Sequence, residues 1–505
     1  PNNPIYLDWA LKLSRPGSAI VLDNVIRDGK VVEPNHPDPR VQGTQAAFDL
    51  IGSESRLTAT ALQTVGEKGW DGLAIMIVDY YLRIVHFDRR MPLNLDLGPL
   101  HIHLYSRSVF FMWVTLALLA IAGFFLSGIL YAFLGAMLPV WRHHLSGDYI
   151  QVGNYFLAVT VGIFLGSVVA PRLVAGKGIT FTLTLSCAVA CGAVLGLAFA
   201  SPPQPAWIRV LVLWPLGVGI GMVNVALFHA VSSAYRLNPA ATANLAGVTF
   251  GLGCFMVTLL VAGSFYAYTV PSILIFIALV PGFFAISYAR SSMRSEKAPA
   301  QQPSWREALP DFRSMGAILF TLLLFFQFGN EGALAGWLAL FLTVRLGISP
   351  ESALFTLAIY WLALLVGRVA TQAVLPHMNH GKLLFGSVMG AVFGCTILSA
   401  TNNMFGAVTG VLMAGLSFSA ILPLVVESIW VKFPYFHPAF FSGVFSIGLA
   451  GGLLAPATLG YAAQSMGIRV VTGLPLIGSW LVALLTLLIW LVSRLTSPRR
   501  AKHRT

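Results

Sequence analysis

Charge is scarce in this chain of 505 residues: Asp, Glu, Lys and Arg together make up 10%, where a soluble domain carries roughly 25%. Acid is scarcer still after residue 108, where only seven Asp and Glu stand among twenty Lys and Arg. A water-soluble globule is therefore excluded for that part. The four cysteines, Cys187, Cys191, Cys254 and Cys395, all fall inside apolar runs. Cys187 and Cys191 share a helix face, but no His or acid joins them, so buried structural thiols are expected rather than a disulfide or a metal centre. No Gly-rich loop closed by Lys-Ser/Thr occurs in the apolar part, which argues against nucleotide-driven work there. No secretory signal peptide is visible, and residue 1 is Pro, so the true start is expected to lie upstream.

Apolar sequence is what the chain has in excess, at 57%. Twelve apolar runs, near 109–139, 150–171, 178–200, 208–232, 241–267, 270–290, 314–343, 351–375, 382–400, 403–432, 438–464 and 471–495, each reach the roughly 20 residues that cross a bilayer. The net charge of +12 lies mostly in short loops between them, where it signals topology rather than a nucleic-acid partner. With the N-terminus placed in the cytoplasm, sixteen of those twenty cations fall in inner loops and the tail. Four, Arg142, Arg209, Arg345 and Arg469, fall outside. The positive-inside rule thus predicts both termini cytoplasmic.

The longest inner loop, Arg290–Arg313, is rich in Ser and Pro and divides the spans six and six. The halves echo each other. Gly247, Gly251 and Gly253 in span five follow Pro239, as Gly443, Gly448, Gly451 and Gly452 in span eleven follow Pro438. Two six-helix halves around a midplane site is a transporter plan.

Candidate working residues centre on Leu322–Leu342, LLLFFQFGNEGALAGWLALFL, with Glu331 at its middle. A charge at bilayer depth costs at least about 2.5–3.5 kcal/mol on insertion scales and usually faces a cavity or partner. Gln327, Asn330 and Glu331 stand at i, i+3 and i+4 and are expected on one face. Gly332 and Gly336 are expected to admit a neighbouring backbone. Because a carboxyl group held away from water keeps its proton to higher pH, Glu331 is expected to bind solute or couple protons; its bland alternative is a helix–helix anchor. Gln327 and Asn330 suit hydroxyl recognition. In the first half, Asn154, Asn224 and His229 are candidates, though a lone His among apolar residues is more often a satisfied interior group. Trp337 and Trp361 are candidates to stack on a sugar ring, or interfacial anchors. Arg368 reads as a gating or topology residue, and Glu427 as a gate or loop ion pair with Lys432.

Residues 1–108 are compositionally different, with eleven Lys/Arg and twelve Asp/Glu. The pattern helix (Tyr6–Leu13), strand (Ser18–Ile26), helix (Pro39–Ser53) and two strands (Leu57–Val65, Gly72–Asp79) is a piece of an α/β sheet. YLDWALKLSRPGSAIVLDNVIRDGKV, then DPRVQG and DGLAIMIV, resemble the C-terminal part of a catechol-type O-methyltransferase that uses S-adenosylmethionine. That resemblance implies a divalent cation on an Asp-Asn pair, here Asp23 and Asn24. The family's other metal-ligand Asp and its Gly-rich cofactor half have no counterpart here, so the segment reads as a vestigial fragment. Residues 81–108 read as a linker bearing Arg83, Arg89, Arg90 and Arg107, with His101 and His103 near its end.

From GFFLSGILYAFLGAMLPVW in span one, the chain resembles the major facilitator superfamily. GNEGALAGWLALFL and YWLALLVGRVATQAVL bring it nearest the fucose/glucose permease-like branch. The resemblance implies an all-α membrane protein of two six-helix halves, at 109–290 and 314–505, joined by a cytoplasmic linker at 291–313. The superfamily's charged loop after span two is reduced to Gly166, Arg172, Gly176 and Lys177, and spans one and four carry no acid. The expected function is secondary transport of a small polar solute, a sugar on the resemblance, driven by a gradient such as protons. The alternatives are an exporter of drugs or metabolites and, with an upstream cofactor half, a membrane-tethered methyltransferase. Expected partners are a small-molecule solute, membrane lipid and protons. No cofactor is expected of a monomer in a bacterial inner membrane.

Overall fold

A computed structural model describes residues 2–14, 18–33, 36–54, 56–66, 69–78, 83–84, 93–97, 100–104, 107–231, 239–291, 314–374, 378, 380–432 and 438–496. They form two compact units, Pro1–Thr115 and Leu116–Thr505.

In the first unit, helix α1 (Asn3–Leu13) leads into strand β1 (Ala19–Asp23) and a 3₁₀ segment (Arg27–Val32). Helix α2 (Pro39–Ser53) starts where Asp38 accepts a hydrogen bond from the Arg40 N–H at 2.8 Å, with Pro39 in the first turn. Strands β2 (Leu57–Gly66) and β3 (Gly69–Val78) follow as a hairpin. The sheet is antiparallel with order β1-β3-β2, register Val21↔Ile75 and Thr60↔Ile75. Leu7, Leu11, Met76 and Val78 form its small core. The Asp71 carboxylate accepts the backbone N–H groups of Ile26 and Arg27 at 2.9 Å each and that of Gly72 at 2.9 Å, pinning the turn after β1. Burial opposes ionisation of this carboxyl, but the three N–H groups prevail and hold it below the usual carboxylate range.

Residues 81–108, expected as a linker, include three short strands: β4 (Arg83–Ile84), β5 (Leu93–Leu97) and β6 (Leu100–Leu104). They pair antiparallel in the order β4-β5-β6. Leu93, Leu95, Leu97, Leu100, Ile102 and Leu104 alternate with polar residues, the period-2 signature of a strand, which the arginine content of the segment had obscured.

The second unit holds twelve helices long and apolar enough to cross a membrane. The first span lies in Arg107–Val140, followed by a one-turn helix, His143–Ser146. The rest of the first half is Tyr149–Lys177, Ile179–Phe199, Ala206–Ala230, Pro239–Ser264 and Val270–Arg290. The second half is Met315–Leu346, Pro350–Val374, His380–Ala400, Met404–Lys432, Pro438–Met466 and Val470–Thr496. Helix starts follow local chemistry: Ser314 Oγ accepts the Ala317 N–H at 3.2 Å, and Asp148 Oδ1 accepts the Gln151 N–H at 3.2 Å. The expected linker at 291–313, the loop Arg290–Arg313 and the basic tail after residue 496 lie almost wholly outside the described residues.

Packing repeats between the halves with an offset of six spans. Spans two and four, three and four, and three and six pack together; so do eight and ten, nine and ten, and nine and twelve. The glycine echo has the same origin. Gly253 of span five lies against the Phe125 carbonyl of span one, and Gly451 of span eleven lies against the Phe325 carbonyl of span seven. The halves meet where span two packs on eleven and span five on eight. Odd-numbered spans begin at one membrane edge, the near edge, and end at the far edge.

Candidate functional site

Glu331 sits midway along span seven, whose residues 332–342 are all buried, yet it is itself only half-buried. Its Oε1 accepts a hydrogen bond from Gln327 Nε2 at 3.0 Å, the i, i+4 relation expected from the sequence. Across the helix interface, the Tyr360 hydroxyl donates to the Glu331 backbone carbonyl at 3.3 Å. The phenols of Tyr131 and Tyr360 and the guanidinium of Arg368 lie within electrostatic reach of the carboxylate. Arg368 does not pair with it: Nη1 donates to the Gly247 carbonyl of span five at 2.9 Å, and among the described residues no cation lies within ion-pair distance of Glu331.

Around this carboxylate stand aromatic rings from three spans. Tyr131 lies 5.5 Å from Phe250 and 6.2 Å from Trp361, and Tyr360 lies 5.5 Å from Trp361, ring centre to ring centre. Two deeply buried polar atoms here have no hydrogen-bond partner, Gln327 Oε1 and Trp361 Nε1. The Tyr131 ring also borders a cleft of about 40 Å³ between the halves, room for a water molecule or two. Leu130, Phe156, Ile163, Leu216 and Ile220 wall it, and Thr160 adds a hydroxyl.

The other expected site residues are placed differently. Asn330 turns away from Gln327 and Glu331 and lies against Gly478 of span twelve. In the amide orientation that satisfies both ends, it donates to the Phe326 carbonyl at 3.3 Å and accepts from Ser479 N–H at 3.2 Å. Positions i+3 and i+4 differ by a wide arc on a helix, and here two neighbouring spans divide that arc. Asn224 accepts from the Ser127 hydroxyl at 2.6 Å, tying spans one and four. His229 Nδ1 is 2.8 Å from the Val225 carbonyl of its own helix. Trp337, a candidate for sugar stacking, is fully buried: its ring stacks on Phe156 at 6.1 Å and its indole N–H donates to the Pro456 carbonyl at 2.8 Å. Its two partners, Phe156 and Pro456, line the cleft. Asn154 accepts from the Tyr461 hydroxyl at 2.6 Å, a bond between halves. Beside it the backbones of Gly153 and Gly460 touch, and Gln464 Oε1 accepts the Tyr149 N–H at 3.2 Å. Glu427 pairs with His380 of span nine at 3.1 Å, and the side chain of Lys432, its expected partner, lies outside the described residues.

Gly332 and Gly336 do admit close neighbours, Gly452 of span eleven and Phe156 of span two. The phenols Tyr131, Tyr360 and Tyr461 escaped the sequence reading; the signal was a hydroxyl-bearing ring within otherwise apolar runs. At the first unit, Asp23 Oδ1 accepts the N–H of Asn24, whose φ is +58°. No group of three or more His, Cys, Asp or Glu able to hold a metal occurs among the described residues, and two adjacent donors alone make a poor cation site.

No protein-family model matches the chain. Residues at the N-terminal end are similar to a catechol O-methyltransferase of Niastella koreensis, 52% identical over 73 residues, 14% of this chain. The chain spans about a third of that relative's length (33%). An uncharacterised MFS-type transporter of Yersinia pestis is 24% identical over 353 residues, covering 69% of this chain and 89% of that protein. Among solved structures, the nucleoside transporter NupG matches 74% of this chain and 99% of its own at 13% identity and a TM-score of 0.56. The fucose:proton symporter FucP of E. coli matches 75% and 99% at 15% identity and a TM-score of 0.50. The fold is therefore that of major facilitator transporters, preceded by an O-methyltransferase-like fragment.

Proposed function

We propose that this chain is a secondary active transporter that passes a small organic solute between its two halves by alternating access, with Glu331 linking solute movement to protons. The observation carrying this reading is the half-buried carboxylate at mid-span. It precedes the cleft-lining Gly332, has the phenol of Tyr131 of span one within electrostatic reach, and among the described residues has no cation at ion-pair distance. A charge so placed is costly unless it works or is paired. The contacts between halves suit a rocking motion. Asn154–Tyr461 and Tyr149–Gln464 close the far edge, while Arg368–Gly247 joins spans five and eight toward the near edge. Each set can open while the other holds. The cation distribution makes the near edge cytoplasmic.

NupG is a nucleoside transporter and FucP a fucose:proton symporter, which supports a small organic solute for this chain. The test is transport into proteoliposomes with a solute panel, with and without a pH gradient. Glu331→Gln is expected to cut gradient-driven accumulation at least about tenfold. Accumulation unchanged in that variant would reduce Glu331 to a scaffold residue. The apolar walls of the cleft favour one second reading, export of an amphipathic compound. The same panel in inverted vesicles distinguishes it by direction.

A further inference from the structure

We infer that the solute is a protonated amine with an apolar body, held by Glu331 inside the ring cluster of Tyr131, Phe250, Tyr360 and Trp361. This rests on the transport reading above and names its substrate class.

Three observations converge. First, the Glu331 carboxylate has one direct partner, Gln327 Nε2, and among the described residues no Lys, Arg or His within ion-pair distance. The nearest guanidinium, that of Arg368, is engaged by the Gly247 carbonyl. What this site lacks, among the described residues, is a cation in direct contact, because Arg368 acts on the carboxylate only through space. Second, the neighbouring side chains are aromatic, Tyr131, Phe250, Tyr360 and Trp361, with two phenol oxygens as their only oxygen atoms. Hard metal cations take six or more oxygen ligands, whereas an organic ammonium is attracted to ring faces. Third, the buried atoms without partners are complementary to such a solute: Gln327 Oε1 accepts a second ammonium N–H, and the Trp361 indole N–H donates to one solute oxygen. The cleft beside Tyr131, walled by Leu130, Phe156, Ile163 and Leu216, widens as the halves rock apart and then receives the apolar body. A neutral sugar would meet the same hydroxyl-competent groups but leave the carboxylate without a counter-charge. One carboxylate cannot hold a proton and an ammonium ion together, so amine and proton exchange in opposite directions.

The probe is 2-amino-1-phenylethanol, which carries ammonium, hydroxyl and ring. Its neutral counterpart is 1-phenyl-1,2-ethanediol. Binding to the full-length chain in lipid nanodiscs is followed by calorimetry, and transport is followed in proteoliposomes with D-galactose alongside. The amine is expected to bind at least tenfold more tightly than the diol. Glu331→Gln abolishes that preference, Glu331→Asp keeps it in part, and Trp361→Phe weakens the amine several-fold. Thermal melting of each variant confirms that it is folded. Equal affinity for amine and diol, or an amine preference unchanged in Glu331→Gln, overturns the inference. Transport of galactose with the amine ignored also overturns it but leaves the transport reading intact. If neither solute class binds or moves, the inference is overturned, while the transport reading fails only if the whole solute panel goes untransported.

Discussion

Asn330 and Glu331 are neighbours in the chain with different tasks. The Asn330 amide fills the place where a side chain on Gly478 would be, so span seven and span twelve are fitted at this point. Gly478→Ala is expected to destabilise the folded protein by about 1–3 kcal/mol, the usual cost of overpacking. Adding Asn330→Ala should recover part of that loss, a non-additivity that a double-mutant cycle of thermal unfolding measures. His143 offers a second test at this scale. It is 5% exposed, packed edge-on against Tyr155 at 5.3 Å. Burial, reinforced by the nearby Arg209 and His144 charges and opposed by Asp148, pulls its pKa from 6.5 down to about 4. The unfolded chain therefore binds more protons between these two values. Stability is at its full value above about pH 6.5 and falls as pH drops toward 4, by on the order of 3 kcal/mol in total. Melting temperature in detergent should track this fall, and His143→Gln should flatten the curve over that window. The sequence reading placed neither residue in these roles, because each depends on what a distant span sets opposite it.

Among elements, the pairing of span two with span eleven is the one that must come apart for a far-edge opening. It is held by backbone contact at Gly153 and Gly460, by the Tyr461–Asn154 hydrogen bond, and by Thr160 donating to the Leu453 carbonyl at 3.1 Å. A hydrogen bond of this kind is worth roughly 0.5–1.5 kcal/mol net. Tyr461→Phe should therefore shift the balance toward far-edge opening by a factor of about 2–10. Labelling of a cysteine placed at Thr160 by a membrane-impermeant reagent should accelerate accordingly; an unchanged rate would remove the bond from the gate. The sequence pointed to Asn154 as a solute contact, since an isolated amide in an apolar helix is conspicuous. It could not show that Tyr461, 307 residues away, satisfies the amide oxygen. The glycine echo between spans five and eleven was legible. Gly253 and Gly451 hold equivalent places against spans one and seven, and close backbone approach demands a residue without a side chain in both.

At the scale of the whole molecule, the cation distribution predicts cytoplasmic termini, and a topology reporter checks it. A fluorescent protein fused after Thr505 should fold and fluoresce, as it does only in the cytoplasm. A periplasmically active phosphatase inserted in the loop at 347–349 should be active. The reverse pattern would invert every assignment of near and far edges. The first unit has its own small core and its own sheet, and its match to a third of a methyltransferase concerns residues remote in sequence from the twelve spans.

Twelve spans and their division into two sixes were determined by sequence alone, and the cation count predicts the sidedness of their loops. Each rests on a local or additive property: run length against bilayer thickness, and the count of cations in short loops. The position of the one mid-span carboxylate was likewise determined there. Which groups meet was decided only by the tertiary structure. The helix period puts a residue on an arc of its own helix, but the crossing of two helices selects the partner that arc faces. Hence Gln327 joins Glu331 while Asn330 leaves it, Trp337 is buried against span eleven, and phenols from spans one and eight come within reach of the carboxylate.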